Sequence, residues 1–347
     1  MRCSKDSRKS PAIRDFYIEN ELQDCLDSGS KVWVVGDIHG HLNTFRALIH
    51  RMNLGINDRV VLLGDMIDRG PDSAGVIKYV RENPKLIAIK GNHEQMATKS
   101  LVNQNIELDH VWLAKGGSST WGSYIVNAQG DLHVAKLRFA DDCAWMADLP
   151  SHIILNQWRL VHAGYKPGMD LESHDEKTLL WIRKAFYNYK EIIDPKRCIL
   201  FGHTPTTKFG KPGSIANSKI ILEDGRPSWK GLDTCAYNSE HPYLVAFELN
   251  SSTTIRQKTL QSERWWLRTE KREAPVSEYF GLAELRRRAT KSIASKEKAR
   301  RRLNMAGVST CVSGPVSFRI VSRKLSLVET KFTESGSNLH ESLHNQP

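Results

Sequence analysis

The chain has 347 residues, 40% hydrophobic and 26% charged, an ordinary balance that excludes a fully disordered protein. At about 150 residues per domain, the length suggests about two domains with ample core. The formal net charge is +11, and no apolar run approaches the roughly 20 residues of a spanning helix, so no transmembrane segment is expected.

Residues 1–30 read as a variable lead. Its basic start, Met1 to Asp15, is followed by no apolar stretch, so no secretory leader is expected. A regular rhythm then begins. Strands are predicted at 32–35, 60–63 and 86–89, with helices at 42–52, 73–81 and 94–102 between and after them. That β-α-β-α-β order predicts an α/β fold with parallel strands and right-handed crossovers. Residues 104–150 read as a helical cap, in which Trp112, Trp121 and Trp145 are expected in the core rather than as a substrate platform. Later strands are predicted at 153–155, 158–161, 198–201, 218–222 and 243–249. Residues 251–280 read as a bridge, and 281–347 as a basic extension with a helix over 281–304 and a hairpin or added edge over 316–328.

Charge is concentrated in that extension: residues 271–347 hold 15 Lys and Arg against 7 Asp and Glu. Arg286 to Arg302 contains two Arg-Arg-Arg triplets and no aromatic residue. Such a segment is a solvated helix, or an arm for nucleic acid through its phosphates, for anionic lipid, or for an acidic protein partner. The six cysteines are scattered, with no Cys-x-x-Cys pair, which predicts free thiols in a reducing, cytoplasmic compartment.

The ends of the predicted strands carry the chemistry. The first three give Gly36-Asp37-Ile38-His39-Gly40, Gly64-Asp65-Met66-Ile67-Asp68-Arg69-Gly70 and Gly91-Asn92-His93-Glu94. Asp37, Asp65 and Asn92 lie 28 and 27 residues apart, one β-α unit each. Two later strands end in His162-Ala163-Gly164 and Gly202-His203-Thr204-Pro205. In parallel α/β sheets, ligands gather beyond the carboxyl ends of the strands, so these loops should meet at one point. Carboxylates, imidazoles and an amide together suit Mn²⁺, Fe or Zn²⁺ better than Ca²⁺. In an extended Asp-x-His both side chains point the same way, so Asp37 and His39 can grip one ion, and Asp65 is central enough to bridge two. Any one of these pieces alone is an ordinary turn or cap; five in order, each at a strand end, specify a shared metal site.

Those five segments resemble the signature of the phosphoprotein phosphatase superfamily of metallophosphoesterases. Gly91 to Met96 is especially similar to the bacterial and bacteriophage lambda Ser/Thr protein phosphatases. The resemblance covers about residues 31–250, which it marks as a catalytic domain, and leaves the lead and the extension unexplained. It implies a central β-sandwich flanked by helices. It implies two divalent metal ions, Mn²⁺ foremost with Fe or Zn²⁺ as alternatives. One ion would be held by Asp37, His39 and Asp65, the other by Asp65, Asn92, His162 and His203. A hydroxide bridging the pair would attack phosphorus in line. His93 would be the general acid, oriented by Asp68, while Arg69 and Arg183 would clamp phosphate oxygens. Arg183 rests on the shorter match of Leu180-Trp181-Ile182-Arg183, against the reading of a surface helix residue.

His203 is preferred over His241 as the last ligand because it follows an apolar strand. Glu94 reads as an acidic residue suited to a first helical turn. Cys235 stands where related phosphatases often have glycine. The acidic run Asp170 to Asp175 would either repel phosphate or select a basic substrate. The expected substrate is a phosphoprotein or phosphopeptide. Asp68 and Glu94 favour that over a symmetrical diadenosine tetraphosphatase or related nucleotide hydrolase. A third reading, a nucleic-acid-binding or scaffold protein with a relic site, draws only on the basic extension.

Overall fold

The computed structural model describes residues 13–103 and 110–260. The chain divides into two units, Met1–Phe280 and Gly281–Pro347. The predicted helix at 281–304, the hairpin at 316–328, the arginine triplets and residues 104–109 of the cap lie outside the described residues, as do Cys3 and Cys311.

Two five-stranded sheets form a sandwich. The first contains β1 (Val32–Val35), β2 (Arg59–Leu62), β3 (Leu86–Ala88), β9 (Tyr243–Glu248) and β10 (Thr254–Lys258), in the order β10-β9-β1-β2-β3. The second contains β4 (His152–Ile154), β5 (Trp158–Val161), β6 (Cys198–Phe201), β7 (Ala216–Asn217) and β8 (Trp229–Gly231), in the order β4-β5-β6-β8-β7. The central pairs β1–β2, β2–β3, β5–β6 and β6–β8 are parallel, and the remaining pairs are antiparallel.

Strand periodicity explains the layering. Val32 and Val34 share an apolar cluster with Val61, Leu160, Leu200 and Phe247 between the sheets. Their neighbours Trp33 and Val35 point the other way, into a second cluster with Phe45, Leu48, Ile77 and Tyr124 from the helices. With both faces covered, β1 is apolar at all four positions, as a buried parallel strand requires. The helices on that face are α2 (Leu42–Met52), α3 (Ser73–Glu82), α4 (Asn92–Asn103), α5 (Ser118–Asn127) and α6 (Leu132–Ala147). A smaller cluster with Tyr165, Leu179 and Phe186 covers the outer face of the second sheet.

The body is larger than residues 31–250. Helix α1 (Phe16–Asp27), inside the predicted lead, is capped by Asp15 and buries Leu22 and Cys25 against the sandwich. Part of the predicted bridge is β10, paired antiparallel with β9. The strand expected at 218–222 is instead β7 at Ala216–Asn217 followed by one isolated bridge, Ile221 to Pro227, around a turn. Trp112 and Trp121 are buried and Trp145 packs against the same core, as expected of the cap. Cys25, Cys143, Cys198 and Cys235 are free and buried. Among the described residues no helix is long and apolar enough to cross a membrane.

Candidate active site

Strand ends from both sheets deliver the predicted residues to one place. β1 leads to Asp37 and His39, β2 to Asp65, Asp68 and Arg69, and β3 to Asn92 and His93 at the start of α4. β5 leads to His162 and β6 to His203. The turns are tight. His39, Asp65, Asp68, Arg69 and His203 have φ between +48° and +74°, the left-handed region that L-residues enter at a cost of order 1 kcal/mol each. The two sheets also approach closely at their ends: a Cβ on Gly36, just after β1, would run into the Leu232 carbonyl just after β8.

The side chains converge on Asp65. Its carboxylate lies 3.8 Å from His39 Nε2, 3.7 Å from His93 Nε2 and 3.3 Å from His162 Nε2. Two groups bring their ligand atoms within 4.8 Å of one another, His39 with Asp65 and His93, and Asp65 with His162 and His203. Asp65 belongs to both. Asp37 approaches His39 Nε2 at 3.9 Å, while its oxygens accept the His203 backbone N–H at 3.0 and 3.1 Å. In the first tight group, His93 thus stands in the place expected of Asp37. His241, the rival ligand, is exposed in a loop.

The donor set fits cations. His39 Nδ1 lies 2.8 Å from the Ile67 carbonyl, and His162 Nδ1 lies 2.7 Å from the Leu63 carbonyl, so each donates there and leaves Nε2 as a lone pair. His162 Nε2 then faces Asn92 Oδ1 at 2.9 Å and Asp65 Oδ1 at 3.3 Å, three acceptors with no proton among them. His203 Nε2 is buried without a hydrogen-bond partner. Burial lowers the pKa of His39, His162 and His203, keeping these imidazoles neutral as ligands must be. Five carboxylates, Asp37, Asp65, Asp68, Glu94 and Asp233, are buried around them. Burial pushes Asp37 well above the usual range, helped by Asp233 and Asp65. Burial opposes ionisation of Asp65 too, but its pKa is held below the usual range by the imidazoles around it, among them His93, the one that favours its protonated form. Positive charge at this point relieves the crowding.

His93 is set apart from the other imidazoles. Its Nδ1 meets Asp68 Oδ2 at 2.5 Å, and its backbone N–H donates to Asp65 Oδ1 at 3.0 Å. Burial works against its protonation, but Asp65 and Asp68 more than compensate, so its pKa is raised. Asp68 is anchored in turn. It accepts from the Trp112 indole N–H at 3.0 Å and from the Thr120 hydroxyl at 2.7 Å. Trp112 is therefore both core and support for the site. Arg69 donates to His39 Nε2 at 2.5 Å and to His93 Nε2 at 3.0 Å, with its guanidinium 4.6 Å over the Tyr237 ring. Arg183 lies between helices α7 (Glu176–Trp181) and α8 (Lys184–Tyr187), and its guanidinium donates to the His203 carbonyl at 3.2 Å. Both arginines line a cleft of about 440 Å³ together with Asp65, His93, Lys115 and Trp181.

Three residues support the site beyond what the sequence assigns them. Glu94 is more than a helix-start acid: its carboxylate accepts the backbone N–H groups of Asp65, Met66 and Gly91 at 2.8 to 2.9 Å, tying the β2 and β3 loops together. Asp233 follows β8, the strand the sequence did not reveal, and its pKa is pushed up to about 6, chiefly by burial. Tyr237 packs edge-on against His39 at 5.1 Å. Cys235 has φ +58°, a conformation glycine takes readily, and burial raises its thiol pKa, so it is not a reactive thiolate. The acidic run at 170–175 serves structure: Glu172 pairs with Arg14 and Arg159, and Asp175 caps α7.

The family model for calcineurin-like phosphoesterases matches residues 30–247. Serine/threonine-protein phosphatase 1 of Salmonella typhimurium is 31% identical over 182 residues, 50% of this chain and 78% of that protein. Serine/threonine-protein phosphatase 2 of Escherichia coli is 29% identical over 210 residues, 57% of this chain and 88% of that protein. A symmetrical bis(5'-nucleosyl)-tetraphosphatase of Aromatoleum aromaticum is 27% identical over 144 residues, 41% of this chain and 46% of that protein. Because the family match takes in every strand from β1 to the body of β9, along with all the loops that meet at Asp65, this chain belongs to the calcineurin-like phosphoesterases and is a metal-dependent phosphoric-ester hydrolase.

Proposed function

We propose that this chain is a protein serine/threonine phosphatase that hydrolyses phosphate monoesters. The observation that carries the reading is the buried His93–Asp68 pair, set beside Arg69 and opening on the same cleft as Arg183. Asp37, His39 and Asp65 would hold one divalent cation, and Asp65, Asn92, His162 and His203 a second. Mn²⁺ is the first expectation, with Fe or Zn²⁺ as alternatives. Bound there, the two cations would acidify water and offset phosphoryl charge.

The chain's own residues do the rest. Arg69 and Arg183 present guanidinium forks that match phosphate oxygens. As Arg69 turns its donors to phosphate, it frees His93 Nε2 to take up a proton from solvent, which the ring then gives to the leaving serine or threonine oxygen. Asp68 fixes the imidazole by accepting from Nδ1, so Nε2 is the nitrogen that faces substrate.

A dinucleoside tetraphosphatase is the second reading, favoured by the similarity to the Aromatoleum aromaticum enzyme. Asp68 and Glu94 weigh against it. A panel of a phosphoserine peptide, diadenosine tetraphosphate and an RNA oligomer, each with Mn²⁺, separates the readings. The peptide should have the highest kcat/KM; preference for the dinucleotide would overturn the first reading. Salt-sensitive RNA binding that disappears on deleting 281–347 would give the basic extension its own role.

A further inference from the structure

The cleft carries more positive charge than one phosphate needs. Its lining includes three cationic residues, Arg69, Lys115 and Arg183, and one acidic residue, Asp65, which belongs to the metal-ligand cluster. Arg69 is engaged with His39 and His93, and Arg183 with the His203 carbonyl. The Lys115 residue is exposed, and its side chain has no hydrogen bond or ion pair to any described residue.

Its position is fixed by its neighbours. Lys115 sits in a kinked turn, Leu113–Gly117, that leads into α5 and is broken at Gly116. Gly116 has φ +115°, and its carbonyl accepts the Arg69 backbone N–H at 3.2 Å. A Cβ on Gly116 would lie 2.7 Å from the Arg69 nitrogen, so this backbone contact admits no side chain. Just before the turn, Trp112 is tied to Asp68. The backbone bearing Lys115 is therefore fastened on one side to a phosphate clamp and on the other to the partner of the general acid.

We propose that Lys115 is a specificity-determining residue that binds a second anionic group on the substrate, a carboxylate or phosphate on a residue flanking the phosphoserine or phosphothreonine. This inference rests on the protein-phosphatase reading above. A lysine suits the role: a compact charge on a flexible stem finds an anion in varied positions, where a guanidinium fork demands one geometry. Two arginines serve the scissile phosphate, and the free ammonium beside them attracts the next negative charge along the chain.

The test compares two phosphoserine peptides differing only in flanking Asp against Asn, at low salt with Mn²⁺. 4-Nitrophenyl phosphate and diadenosine tetraphosphate are run alongside each enzyme. Wild type should prefer the acidic peptide in kcat/KM by about fivefold, the scale of one solvent-exposed ion pair. Lys115→Ala should lose the preference and Lys115→Glu should reverse it, after normalising to 4-nitrophenyl phosphate for folding and metal loading. Added salt should shrink the wild-type preference. No preference in wild type, or the same preference in Lys115→Glu, overturns the role of Lys115 alone. Inert peptides with the two small substrates turning over would overturn the protein-phosphatase reading and this inference with it.

Discussion

His93 Nδ1 and Asp68 Oδ2 meet at 2.5 Å, in a pocket where both side chains are almost wholly buried. Asp68 in turn is held by Trp112 and Thr120 from the cap, so two layers of structure aim one imidazole. Asp68→Asn keeps the shape but loses the negative charge that favours the protonated ring. Its kcat should fall about 100-fold, within the range for loss of general-acid assistance. The loss should be larger for phenyl phosphate than for 4-nitrophenyl phosphate, because a poor leaving group needs the proton more. Equal losses on both esters would argue that Asp68 serves only the fold.

His203 and His241 lie on either side of β8, but only His203 is buried, with Nε2 unpartnered. His203→Ala should reduce bound metal, counted by plasma mass spectrometry after gel filtration, and nearly abolish ester hydrolysis. His241→Ala should retain most of both. The opposite result would transfer the ligand role to His241.

These assignments show where the sequence is legible. Strands of four apolar residues, such as 32–35 and 198–201, announce themselves because both faces are buried, and a glycine beside a metal-competent residue marks each turn. Asp233 escaped because β8, Trp229-Lys230-Gly231, is interrupted by a lysine and a glycine and lacks the apolar run that marks the equally short β3 and β4. Glu94 escaped because its work depends on two loops distant in sequence that touch only in the fold. The left-handed turns at His39, Asp65 and Asp68 carry no signal of their own, since tertiary packing enforces a backbone those residues would not choose. Helix α1 looked like a lead for a similar reason. Its anchoring residues Leu22 and Cys25 are few, and the surfaces they bury against lie elsewhere in the chain.

Glu94 is a fastening whose loss should be felt in stability first. Glu94→Ala strands the buried N–H groups of Gly91, Asp65 and Met66, each worth about 1–3 kcal/mol when left unpaired. Urea unfolding should show a drop of about 3 kcal/mol or more. Glu94→Gln keeps one carbonyl oxygen to accept and should lose distinctly less. Equal stability of Glu94→Ala and wild type would mean that these loops hold their shape without it.

His152 should make the fold acid-sensitive, independently of the active site. Its ring is buried, with Nδ1 2.8 Å from the Tyr165 hydroxyl, and burial, reinforced by Arg14, Arg159 and His174, lowers its pKa to about 3. The unfolded chain protonates the same imidazole near the ordinary value of about 6.5. As pH falls between those values the unfolded state takes up the proton and the native state does not. The stabilisation from neutral His152 is thus complete above about pH 6.5 and lost progressively toward about pH 3, on the order of 3 kcal/mol by pH 4. In His152→Gln, which has nothing to titrate, urea midpoints measured from pH 7 to pH 4 should fall less steeply than in wild type. Parallel declines in the two proteins would place the acid sensitivity elsewhere and show that His152 is protonated in the native fold.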